Sequence, residues 1–256
     1  MKKIGIPLSK SKTQYFINQE YVQYVAAAGL EPIMISPEMS DDTVFKTIDG
    51  LLLPGGIDLD PIFYGEDNYM SYSADQEKDT FERNLFHMAR TVGIPIFGIC
   101  RGFQLIIREY LKEDPTMDEF LTFETHIPNH NQVNEQTLSR DAYQHFVNFV
   151  PAILYGDNNH NIERMPVNSM HHQCLLADFK KRDVIGARAF RMAAWTTRGL
   201  KEKQPKGTSP VVCEAFRILK WGESRILAVQ WHPEEIKDYE LIVDKKRNND
   251  AVPTLT

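Results

Sequence analysis

Two short stretches carry residue types whose spacing could support covalent chemistry. Gly98-Ile99-Cys100-Arg101-Gly102 follows the apolar run Ile94 to Ile99 and precedes a helical stretch, Phe103 to Leu111. A nucleophile with glycines two positions to either side, between a strand and a helix, is the pattern of a nucleophile elbow. The turn is tight enough to demand small flanking residues, and it projects the central side chain above the sheet. The helix that follows sets its positive end under the sulfur and favours thiolate over thiol. Taken alone, Cys100 reads equally well as a small buried hydrophobe. Cys174 and Cys213 lack this setting and read as structural.

A thiolate nucleophile needs a base, and the base needs an orienting acceptor. Among eight histidines, His232 in Gln230-Trp231-His232-Pro233-Glu234 follows the apolar strand Ile226 to Val229. In an open parallel sheet, ligands gather beyond such strand ends. Pro233 stiffens the turn, so Glu234 can fold back on the imidazole, fix its tautomer and support the imidazolium. The competing reading is a hydrogen-bonded surface histidine in a proline turn. His171-His172 and His126-x-x-x-His130 raise the question of a metal. Adjacent residues on a strand face opposite ways, and Pro128 argues against a helix joining His126 to His130. Asp58-Leu59-Asp60 lacks the other carboxylates of a calcium loop and reads as a turn or pocket wall. Neither a metal site nor a cofactor is expected. Asp79 and Glu82 share a helix face and read as a solvated pair, or one favoured by the helix's positive end.

The elements needed to position these residues follow from patterning. Lys3 to Leu8, Pro32 to Ile35, Gly50 to Leu53 and Ile94 to Ile99 read as buried strands, alternating with helical stretches at Asn18–Ala28, Asp41–Ile48 and Asp75–Val92. Such alternation implies crossover connections, hence an α/β fold with a mostly parallel central sheet and helices on both faces. From Lys112 to Pro166 the chain is polar with only patches of periodicity; Val211–Trp221 and Ile226–Trp231 read as strands joined at Gly222-Glu223-Ser224. Thr196 to Pro210 reads as an exposed loop and Asp238 to Lys246 as a short terminal helix. The expected organisation is one domain over 1–246 and a mobile tail over 247–256.

Composition narrows the function classes. The 256 residues are 42% hydrophobic and 25% charged, with a formal charge of −6. That is an ordinary globular balance, and the basic clusters Lys180-Lys181-Arg182 and Lys245-Lys246-Arg247 are too short to suggest a nucleic-acid binder. No apolar run approaches the roughly 18 residues that span a bilayer, and the N-terminus lacks the pattern of a signal peptide. Three scattered cysteines suit a reducing compartment, so a cytoplasmic location is expected, with neither nucleic acid nor membrane as a partner.

Taken together, the motifs resemble the class I glutamine amidotransferase superfamily and, within it, the γ-glutamyl-γ-aminobutyrate hydrolase branch. The resemblance rests on Leu51-Leu52-Leu53-Pro54-Gly55-Gly56-Ile57-Asp58-Leu59-Asp60-Pro61 followed by Tyr64-Gly65, on Asp79 and Glu82, and on Gly98-Ile99-Cys100-Arg101-Gly102-Phe103-Gln104-Leu105. It continues through Val167-Asn168-Ser169-Met170-His171-His172-Gln173 to Val229-Gln230-Trp231-His232-Pro233-Glu234. It implies a flavodoxin-like single domain in which Cys100 attacks a γ-glutamyl amide and forms a thioester, with His232 as base and acid and Glu234 as its orienter. It further implies an oxyanion hole from the backbone N–H of Arg101 with one from Gly55 or Gly56. Gln104 and the segment Asn168, Ser169, His171, His172 and Gln173 would then bind the glutamyl head group.

Two regions depart from the branch. Ile106 to Asp114 stands where a Gly-Gly-Thr-Leu-like turn is usual, and 182–210 is longer than the usual link. Both bear on specificity more than on catalysis. Three readings are therefore in play. The first is a hydrolase of a small γ-glutamyl conjugate, of the γ-aminobutyrate or polyamine type. The second is a glutaminase subunit supplying ammonia to a separate synthetase, and the third a catalytically silent regulatory binding protein on the same scaffold. A homodimer is compatible with all three.

Overall fold

The structure is a computed structural model that describes residues 1–60, 75–178, 190–200 and 210–236. Strand β1 (Lys3–Pro7) leads through a small hairpin, β2 (Ser9–Lys10) and β3 (Tyr15–Phe16), to helix α1 (Gln19–Ala27). Tyr21 and Val25, four apart, are the buried stripe of α1. Gly29, at φ 76°, turns the chain into β4 (Glu31–Ile35). Next come α2 (Asp41–Thr47), with Asp41 and Asp42 at its positive end, and β5 (Gly50–Leu53), buried throughout. The Asp75 carboxylate caps α3 (Gln76–Val92) by accepting from the Lys78 N–H. β6 (Ile96–Ile99) then runs straight into α4 (Arg101–Glu113), with Cys100 at the junction.

The polar middle of the chain is structured too, in elements of at most five residues: β7 (Leu121–Glu124), α5 (Gln132–Gln136), β8 (His145–Phe149), α6 (Pro151–Leu154), β9 (Glu163–Val167) and β10 (Cys174–Asp178). Segments that short span too few turns or pleats to print a period, which is why patterning shows only patches there. β11 (Phe190–Thr196) precedes β12 (Pro210–Trp221) and β13 (Ser224–Val229), the last two joined across Gly222.

Five strands pair in parallel in the order β4-β1-β5-β6-β13. Counted along the chain, that order is 2-1-3-4-5, the doubly wound arrangement whose ligands lie beyond the carboxyl ends of the strands. From β13 the sheet continues antiparallel through β12, β11, β8 and β9, with β10 and β7 branching from β12. Alternation along the strands divides the core. Leu51, Leu53 and Ile96 join residues of α2, α3 and α4 on one face, whereas Leu52, Phe97 and Ile99 join α1 and α6 on the other. The chain is thus an α/β domain with helices on both faces of its central sheet. Among the described residues, no helix is long and apolar enough to cross a membrane. The expected terminal helix, the tail over 247–256 and most of the 182–210 region lie outside the described residues.

The junction at Cys100 depends on contact between backbones. A Cβ on Gly102 would lie 2.3 Å from the Leu53 carbonyl oxygen, and one on Gly98 would lie 2.6 Å from Ile106 Cδ1 and 2.9 Å from Gly102 carbonyl carbon. The start of α4 is therefore pressed against β5 and β6 at a distance that only hydrogen side chains permit. Gly102→Ala should lower the thermal midpoint by several degrees, given an overpacking cost of about 1–3 kcal/mol and about 2–4 °C per kcal/mol at this size. A calorimetric midpoint within one degree of wild type would reject the contact.

Candidate active site

Cys100 sits at φ 50°, ψ −100°, outside the left-handed helical well. A residue held in such a region costs about 1–3 kcal/mol and persists only where its surroundings over-determine it. Here the Cys100 N–H donates to the Val229 carbonyl of β13 (2.8 Å), and the Cys100 carbonyl accepts from the Gln104 N–H of α4 (3.1 Å). The residue is 6% exposed. Arg101 is the first residue of α4, where helical geometry supplies no intrahelical acceptor for the N–H. Its amide, next to the sulfur, is of the kind that receives anions at helix starts.

His232 arrives from β13. Pro233–Glu235 form one turn of 3₁₀ helix directly after His232, and this short turn returns Glu234 to the ring: His232 Nδ1 lies 2.7 Å from Glu234 Oε1. Both residues are buried. Burial opposes a charged imidazole, but the Glu234 carboxylate and the Cys100 sulfur together hold His232 well above its ordinary value. The backbone of His232 is clamped as well. Its N–H donates to Asn168 Oδ1 and its carbonyl accepts from Asn168 Nδ2, each at 2.9 Å, while Asn168 Nδ2 also donates to the Arg140 carbonyl at 3.0 Å.

Gly55 closes one side. A Cβ there would sit 2.6 Å from His232 Cε1 and 2.7 Å from the Tyr21 hydroxyl, so glycine is what admits the imidazole. The Gly55 N–H donates to that hydroxyl at 2.8 Å. Tyr21 is held well above its ordinary value by burial first, then by the nearby Glu234 and Cys100 charges. With the Gly55 amide so occupied, Gly56 is the glycine of the pair left to offer an N–H.

Beneath the elbow lies a buried ion cluster. The Arg101 guanidinium donates to Asp79 and Glu82, and Asp79 Oδ2 accepts from the Asp60 N–H at 2.7 Å. Asp79 and Glu82 are 2% and 0% exposed, which overturns the solvated reading of that pair. Burial works against the Arg101 charge, but the two carboxylates hold it above its ordinary value. Lys78 adds a fourth charge, with Nζ 2.9 Å from Ser9 Oγ and 3.8 Å from Glu82 Oε1.

Gln104 is buried one turn into α4. The segment after β9 turns its side chains toward the protein. Ser169 Oγ donates to the His130 carbonyl (2.5 Å), and His171 Nδ1 pairs with the Gln173 carbonyl (2.8 Å). His172 spans Asp58 Oδ2 (2.8 Å) and the Thr125 carbonyl (3.2 Å), while Gln173 is buried. This segment reaches His232 through Asn168. Ile106 to Glu113 continues α4, burying Ile106, Ile107 and Tyr110 and pairing Glu109 with Arg83 and His87 at 2.8 Å each.

Three groups had no sequence signal. Tyr21 looks like any core residue of α1. Arg140, in an irregular stretch, pairs through Nε with Glu235 Oε2 (2.6 Å), keeps a half-exposed side chain and feels the Cys100 charge. Glu214, fully buried within β12, is met by His145 at 3.0 Å, His130 at 3.4 Å and His171 at 3.7 Å. Burial opposes its charge, but these imidazoles, His145 foremost, hold its carboxyl well below the usual range.

Because the folded His232 pKa is raised, its contribution to stability is fully present below the unfolded value of about 6.5 and is lost as pH rises through the folded value. Glu234→Gln removes the largest cause of the rise and leaves the Cys100 sulfur alone to oppose burial. The variant should therefore lose more stability at pH 6 than at pH 9 in urea titrations, and an equal loss at both would contradict the assigned coupling.

Comparison with known proteins bears on family and fold. A glutamine amidotransferase-like protein of Rickettsia prowazekii is 26% identical over 88% of this chain and 84% of its own length. The γ-glutamyl-γ-aminobutyrate hydrolase of Escherichia coli O157:H7 is 31% identical over 96 residues, 36% of this chain and 37% of its own. Among solved structures, the glutaminase domain of Trypanosoma brucei CTPS with bound acivicin superposes with a TM-score of 0.53 at 15% identity, covering 100% of this chain and 97% of that one. At that identity the likeness speaks for the fold. The model of the Peptidase C26 family matches residues 5–234, so the chain belongs to that family.

Proposed function

We propose that this protein is a cysteine-dependent amidase that hydrolyses the γ-glutamyl amide bond of a small γ-glutamyl conjugate. The observation that carries the reading is the strained, buried Cys100 close to the His232 imidazole, whose Nδ1 is held 2.7 Å from Glu234. The family and the name of the Escherichia coli relative support the choice of bond.

In this mechanism the Cys100 thiolate adds to the amide carbon and the carbonyl π pair moves to oxygen. The N–H groups of Arg101 and Gly56 receive that oxyanion; losing one such donor typically costs about 10²–10³ in rate. The His232 imidazolium gives its proton to the leaving nitrogen as the C–N bond breaks, which leaves a thioester and neutral His232. Water then adds, its proton passes to His232, and collapse of the second tetrahedral adduct releases glutamate and restores the thiolate–imidazolium pair. Asn168 acts as a positioning residue, keeping His232 at the required angle. Arg140 is a half-exposed cation within electrostatic reach of Cys100, and in this reading it receives the α-carboxylate of the glutamyl group in place of Glu235.

The test is amine release from glutamine, γ-glutamyl-γ-aminobutyrate, γ-glutamylputrescine and a γ-glutamyl peptide. Conjugates should turn over well above glutamine, and Cys100→Ser should abolish turnover. Preference for glutamine would indicate a subunit that feeds ammonia to a synthetase, and full silence with all four would indicate a binding protein. Arg140→Ala should raise KM at least tenfold with kcat changed far less, the signature of lost ground-state binding. An unchanged KM would remove Arg140 from the substrate site.

A further inference from the structure

We infer that His130, His171 and Glu214 form a binding site for a divalent transition-metal ion of the zinc class, separate from the Cys100 site. The three side chains come from distant parts of the chain: the loop before α5, the segment after β9 and the middle of β12. Their exposures are 0%, 3% and 0%. An isolated bridge pairs Asn131 with Met170, and the His171 N–H donates to the His130 carbonyl at 3.1 Å, which sets the two rings side by side with centroids 5.0 Å apart.

The hydrogen bonds fix the tautomers. His130 Nδ1 lies 3.1 Å from the Pro128 carbonyl and His171 Nδ1 lies 2.8 Å from the Gln173 carbonyl. A carbonyl only accepts, so both Nδ1 atoms carry hydrogen and both Nε2 atoms of the neutral rings present lone pairs. Those lone pairs face Glu214. His130 Nε2, His171 Nε2 and Glu214 Oε2 are all buried without a hydrogen-bond partner, and the ligand atoms of the three residues lie within 4.8 Å of one another. With both rings neutral, three acceptors converge and no donor lies between them, an unsatisfied arrangement. A single proton would satisfy one ring and leave the other bare. A divalent cation satisfies all three atoms at once.

The donor set suits that ion. Two imidazoles and one carboxylate are a recurrent zinc triad, and each ring N–H is held by a carbonyl in the manner that orients metal-binding histidines. His145 completes the surroundings: its Nε2 lies 3.0 Å from Glu214 Oε1, the oxygen also 3.4 Å from His130 Nε2, and donating there aims Oε2, which lies 3.7 Å from His171 Nε2. Its Nδ1 meets the amide end of Gln144, which can rotate to donate. An ion so held would pin the loops around His130 and His171 to β12, and the second of these begins at Asn168, the residue that clamps His232.

The experiment uses the full chain, stripped by dialysis against EDTA and then titrated with Zn²⁺ or Co²⁺ alone. The expected result is one ion per chain by elemental analysis, a visible tetrahedral Co²⁺ spectrum, and a thermal midpoint that rises with Zn²⁺. Glu214→Gln should abolish the saturable site, His145→Gln should weaken it about 10–100-fold, and Cys100→Ser should leave it unchanged. No stoichiometric binding by the wild-type chain would overturn the inference whatever the variants do. So would binding that survives Glu214→Gln, or binding lost in Cys100→Ser, since either places the ion elsewhere.

Discussion

Everything at the candidate active site depends on how closely α4 approaches β5 and β6. The helix can begin directly at the strand end only because Gly102 touches the Leu53 carbonyl and Gly98 touches Gly102, with no space for a Cβ at either position. That closeness leaves Cys100 no relaxed backbone conformation. The hydrogen bonds on each side of it, to β13 and within α4, hold the strain in place. The backbone that carries the sulfur is thereby fixed at the helix start, and fixed geometry is what allows nearby dipoles to act without reorganising.

The electrostatics beneath this turn are costly by themselves. Arg101, Asp79, Glu82 and Lys78 are removed from water together, and buried pairs rarely add net stability relative to apolar packing. Their value here is positional. The Arg101 guanidinium ties the first residue of α4 to α3, and Asp79 ties α3 to the loop after Gly56 through the Asp60 N–H. The two backbone donors assigned to the oxyanion, on Arg101 and Gly56, are thus braced by one cluster.

The antiparallel half of the sheet contributes through a different route. It delivers Asn168 to the backbone of His232, and it keeps the neighbouring histidines packed on Glu214. Elements too short to be read by period therefore support His232, while the parallel half presents Cys100. Helix α4 runs on to Glu113 and buries Ile106, Ile107 and Tyr110 in the larger core.

The amino-acid sequence by itself determined the features set by local covalent and steric constraints. These are the glycine-flanked cysteine between strand and helix, the proline-stiffened return from His232 to Glu234, and the alternation that builds a doubly wound sheet. Tertiary structure alone decided the partners. Asn168 meets His232 across 64 positions, and Tyr21 meets Gly55 across 34. Glu214 draws three histidines from separate segments, and Asp79 and Glu82 are buried ion partners rather than solvated charges. The physical reason is the same in each case. A side chain's type and its neighbours in the chain specify what it can bond, but burial and the crossing of distant backbones decide which group is within reach.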